Sequence, residues 1–137
     1  MRDLAAYDYA IVRVVPRVER GELVNIGVIV SCPARDYLQA RIEIDAARLR
    51  ALDATLDIDA IRRHAASIPA ICAGGDAAGP IGRLTQRERF HWLVAPRSTI
   101  IQISPVHTGR CDEPTKVLEH LMTRLVHPVR ESAASSL

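Results

Sequence analysis

Apolar and polar side chains alternate strictly along residues 37–45, where Leu38, Ala40, Ile42 and Ile44 interleave with Gln39, Arg41, Glu43 and Asp45. A period of two marks a strand with one face buried. Two stretches rich in β-branched residues, 8–15 and 23–32, precede it. The connections at 16–22 and 33–36 are short and carry Pro16, Gly21, Pro33 and Asp36, so the three strands are expected to form an antiparallel meander.

The period then changes. Behind Asp57, which can cap a helix, Ile58, Ile61, Ala65, Ile68 and Ile71 recur at spacings of three and four. Pro69 predicts a kink or a break near Ser67 and Ile68, because the residue before a proline is pushed out of helical space. A turn-rich stretch follows at 74–82. Thr85 to Glu88 fits a capping box for a short helix carrying Phe90, Leu93 and Val94, stopped by Pro96. In this helix Trp92 is expected to anchor the core. Thr99, Ile100, Ile101 and Ile103 predict a fourth strand over 98–104, His107-Thr108-Gly109 a turn, and Pro114 the first turn of a last helix with Val117, Leu118, Leu121, Met122 and Leu125 inward. The expected fold is α+β: an antiparallel sheet of about four strands with helices packed on one face, one domain over residues 1–127, and a flexible tail from 128 to 137.

Keeping the apolar faces together sets the register. Arg13 is then expected opposite Asn25, Ile11 opposite Gly27, and Asp45 beside Asn25, so that Arg13, Asn25 and Asp45 form a polar row on the outer sheet face. Arg17 and Arg20 lie in the adjoining loop. Gly27 would leave a gap in that layer where a ligand or another backbone approaches.

Composition narrows the function classes. The chain has 137 residues, a net charge of +2 and 5 aromatic rings. That is enough for one core, too weak a charge to announce a nucleic-acid binder, and too few rings for base stacking. No apolar run approaches the roughly 20 residues of a membrane span and no signal peptide opens the chain, so a cytoplasmic protein is expected. Cys32, Cys72 and Cys111 have neither a disulfide nor a metal-ligand spacing and read as reduced thiols, with Cys111 the most accessible. Arginine outnumbers lysine 17 to 1. Position matters more than number here, since a guanidinium fork binds carboxylate or phosphate in a bidentate way. Neither Ser98 nor Ser104 sits in a nucleophile elbow, the histidines have no metal or paired-carboxylate pattern, and the glycines at 74, 75 and 79 form no phosphate loop. No metal and no cofactor is expected.

Several separated motifs carry a resemblance. Tyr7-Asp8-Tyr9-Ala10-Ile11-Val12-Arg13-Val14-Val15-Pro16, Arg20-Gly21-Glu22, Asn25-Ile26-Gly27-Val28-Ile29, Phe90-His91-Trp92-Leu93, Ala95-Pro96-Arg97-Ser98-Thr99 and Pro105-Val106-His107-Thr108-Gly109 occur in this order. Together they resemble the bacterial family called domain of unknown function 3037, from about Tyr7 to Val126. The resemblance implies a small, single-domain bacterial protein without an established activity, and supplies no catalytic residue. It also implies a protein partner, a kinase-like protein encoded nearby. The function expected is therefore a non-catalytic accessory or regulatory module that binds a protein through Arg13, Arg17, Arg20, Asn25, Asp45, Arg97 and His107. The alternative is a small hydrolase or phosphate-processing enzyme using Arg13, Arg97, Ser98 and His107.

Overall fold

A computed structural model describes residues 3–97 and 99–129. Strands β1 (Ala5–Val14), β2 (Val24–Cys32) and β3 (Tyr37–Ile42) form the expected meander. Helices α1 (Ala46–Leu52), α2 (Ile58–Ala73) and α3 (Gln86–Val94) follow, then β4 (Ile101–Ile103), β5 (His107–Cys111) and α4 (Pro114–Leu121), which runs on into a π-helical turn, Met122–Val126. The antiparallel sheet has the order β3-β2-β1-β4, with β5 also on β1. β4 borders Val12 to Val14 and β5 borders Ala5 to Tyr9, so the two act as one strand interrupted at residues 104–106. His107 to Gly109 is thus a strand and not a turn, because residues 5–9 of β1 would otherwise present an unpaired edge.

A β-bulge sits between Val12 and Arg13. Arg13 does face Asn25, but beyond the bulge Val12 faces Gly27 and Ile11 faces Val28, one step from the expected register. Ile26 is the extra residue. Its insertion turns Val28, Val30 and Cys32 away from Ile29 and onto the second face of the sheet. β3 shifts with it, and Gly27 faces Ile42. The gap expected at Gly27 is closed: a Cβ there would lie 2.5 Å from the carbonyl oxygen of Arg41 and from Ile42 Cδ1.

The first face carries Val12, Val14, Val24, Ile26, Ile29 and Leu38 against Leu49 of α1, the stripe of α2, and Phe90 and Leu93 of α3. On the second, Leu118, Met122 and Val126 pack on Val28, Val30, Cys32 and Tyr37. The expected helical layer is therefore joined by a second, partial one. α2 continues through Pro69 without a break. A proline inside a helix costs about 3 kcal/mol or more, whereas each isoleucine buried on either side of it, at Ile58, Ile61, Ile68 and Ile71, contributes roughly 1.5–3 kcal/mol. Asp45, Asp57 and Thr85 cap α1, α2 and α3 through their side chains, and Thr85 with Glu88 completes the capping box. From residue 130 onward the expected tail lies outside the described residues.

Candidate functional site

The odd-numbered residues of β1, Tyr7, Tyr9, Ile11 and Arg13, point to the second face, and α4 with its π-turn lies to one side over β2, leaving them half-buried. β5 sets His107 beside Tyr9 and Gly109 beside Tyr7. The Tyr9 and His107 rings stack with centroids 5.1 Å apart at 28°, and Tyr7 continues the row at 6.3 Å and 30°. Gly109 makes room for this arrangement: a Cβ there would sit 2.5 Å from the Tyr7 hydroxyl. Burial, with help from neighbouring Tyr9, pushes the Tyr7 phenol above its ordinary pKa, so it remains a neutral O–H donor. Val117 and Leu121 wall the row on the helix side, and a cleft of about 350 Å³ opens between Tyr7 and α4. Lys116 and Glu113 pair at its rim, 3.4 Å apart.

The other expected site residues are taken up by their own chain. Asn25 Nδ2 donates to the Leu125 carbonyl at 2.9 Å, and Arg48 donates to that of Val126 at 3.1 Å. These are terminal carbonyls that the last helix cannot satisfy itself. His127 contacts Glu43 beside them. Asp45 has left the row to accept the Arg48 amide at the start of α1. In the hairpin loop Arg17 pairs with Asp53 at 3.2 Å, and Arg20 pairs with Glu22. Hydrogen bonds from Thr55, more than Arg17, hold the Asp53 carboxyl below its ordinary value. Arg13 Nε is buried without a partner.

Arg97 lies on the opposite face from Arg13 and His107. Its guanidinium covers the Trp92 ring at 3.9 Å and donates to the Trp92 carbonyl at 2.7 Å. Trp92 is 38% exposed, so it is not the core anchor expected. Ser98 lies outside the described residues, and the described members of the alternative catalytic set do not converge. Ser104 is a structural hydroxyl. It accepts the Ile11 amide at 2.8 Å and donates to the Pro105 carbonyl. Among the described residues no group of three or more His, Cys, Asp and Glu side chains could hold a metal ion, and no helix is long and apolar enough to cross a membrane.

Two groups escaped the sequence reading. Arg87 donates to Asp8 at 2.7 Å and to Ser31 at 3.0 Å, tying α3 to the first face of the sheet. The available signal was two polar residues, Asp8 and Ser31, on the inward sides of neighbouring strands. The other group is the pair Tyr7 and Tyr9, whose phase with Ile11 and Arg13 was visible in the alternation of β1.

No curated protein and no solved structure matches the chain. A family model does match, over residues 9–126, well beyond half of the length. The same span holds all five strands except the first residues of β1, and all four α-helices, so the chain belongs to the family described as Protein of unknown function (DUF3037).

Proposed function

We propose that this protein is a non-catalytic accessory or regulatory module of the bacterial cytoplasm. It binds a protein partner through the open part of the second sheet face, with Tyr7, Tyr9 and His107 as the central anchors and Arg13 and the loop at 16–22 at the end. The observation that carries this reading is the stacked ring row itself. It stands on a sheet face that α4 leaves half-covered, while Asn25 and Asp45 are already bonded within the chain and Arg13 Nε is left without a partner. Rigid aromatic side chains and arginine supply most of the energy at protein interfaces. The family resemblance makes a kinase-like protein encoded nearby the first partner to try.

Binding of the full-length protein to that partner, measured for the wild type, Tyr9→Ala and His107→Ala, tests the reading. Arg62→Ala on the exposed side of α2 serves as control. Each anchor variant should lose about 1–3 kcal/mol, roughly five- to 150-fold in Kd, and the control none. Wild-type affinity in both anchor variants would contradict it.

A further inference from the structure

We propose that the first face of the sheet holds a second site, a cleft for a small organic acid with an apolar body, independent of the partner-binding reading. The cleft has a volume of about 210 Å³ and lies between α2, the end of α3 and β4. Ile68, Leu93, Ile101 and Ile103 form its apolar interior, Trp92 one wall, and Arg97 its mouth. The guanidinium of Arg97 is fixed on three sides. It lies 3.9 Å from the Trp92 ring centroid, and its two terminal nitrogens donate to the carbonyls of Trp92 at 2.7 Å and Leu93 at 3.5 Å. Among the described ion pairs none gives it a carboxylate. The cation is therefore held in place before any ligand arrives, with N–H edges still unused and no ion-paired acid among the described residues to neutralise it.

Charge and size together define the occupant. An apolar interior excludes a polar body, and one arginine at the mouth matches one planar carboxylate. A phosphate dianion would need several more donors than this rim offers. His64 can add one N–H from α2, whereas the Ser67 hydroxyl is already donating to the His64 carbonyl at 2.7 Å. A volume of about 210 Å³ corresponds to about seven waters at the roughly 30 Å³ each fills in the liquid, room for the six carbons of a short aliphatic acid with its two carboxylate oxygens at the mouth. The ligand class is a monocarboxylic acid of about six carbons.

Trp92 is the only tryptophan of the chain, so intrinsic tryptophan fluorescence reads the cleft wall directly. The intact protein is titrated with hexanoate, 1-hexanol and hexylammonium at constant ionic strength. A saturable change is expected with hexanoate, about ten-fold weaker binding with hexanol, corresponding to about 1.4 kcal/mol for the lost charge pairing, and none with hexylammonium. Ile103→Phe, which fills the interior without touching Arg97, should abolish the hexanoate response. Arg97→Lys, which keeps the charge but loses the fork, should weaken it. A shift in tryptophan signal caused only by altered surroundings in the variants is separated by calorimetric titration of hexanoate into each. Equal binding of hexanoate and hexanol overturns the proposal, as does no saturable response up to about 10 mM, ten times a 1 mM Kd.

Discussion

The hydroxyl of Ser104 accepts a hydrogen bond from the backbone N–H of Ile11 at 2.8 Å, at the point where β4 gives way to β5. The Ser104 amide in turn donates to the Ile11 carbonyl at 2.9 Å, so one residue serves both backbone groups of Ile11 across the interruption in the strand. Ser104 is 4% exposed. Ser104→Ala should leave the Ile11 amide unsatisfied and cost about 1–3 kcal/mol in chemical denaturation, far more than a surface serine would. Stability equal to wild type would mean that water replaces the hydroxyl.

Gly27 is expected to tolerate no side chain. A methyl group there meets the backbone carbonyl of Arg41 in β3 at 2.5 Å, as well as the Ile42 side chain. Gly27→Ala should cost at least the roughly 1–3 kcal/mol typical of overpacking, read as a lower denaturation midpoint. Val28→Asp should unfold the domain, because Val28 is fully buried against the last helix.

All three thiols should resist alkylation in the native protein. Cys111 is not in an accessible loop: it is 6% exposed, and burial, then neighbouring Cys32, raises its pKa. Burial pushes the Cys72 thiol up to about 12. Thiolate is the reactive form, so mass spectrometry after brief treatment at neutral pH should find little label, and full label on all three after denaturation. Rapid native labelling of Cys111 would contradict its place in the second core cluster.

Acid should weaken the fold in part through the capping box. The Thr85 amide donates to Glu88 at 2.9 Å and holds its carboxyl below the ordinary 4.5. A depressed folded pKa contributes stability that is present above the unfolded value and is lost as pH falls through the folded one. Glu88→Gln should therefore lower Tm at pH 7, and the difference from wild type should shrink as pH falls below the ordinary 4.5. A difference that persists unchanged at pH 3 would assign the effect to something other than the charge.

The strands that alternate were legible in the sequence, and so was the capping box. The bulge was not, because residues 26–30 of β2 are apolar or glycine at every position, which erases the phase that would reveal an inserted residue. That run was itself a sign of burial on both faces. Asp45 was readable both as a strand residue and as a helix cap, and seven residues of α1 are too few to display a helical period. β5 was hidden because His107, Thr108 and Gly109 carry turn propensity, and only the need to cover β1 makes them a strand. Of the candidate site, the cross-strand neighbours Arg13 and Asn25 were legible from register alone. That Asn25 holds the last helix depends on Leu125, a hundred residues away, and no local pattern shows it.

The central claim, that the face bearing Tyr7, Tyr9 and His107 meets a protein partner, is tested most directly by photo-crosslinking in the native cell. A benzophenone side chain is placed at position 9 in one strain and at position 62, on the exposed side of α2, in another. The account predicts a discrete cross-linked protein from position 9 that is absent from position 62 and is lost when His107→Ala is added. A discrete adduct from position 62 with none from position 9 would contradict it.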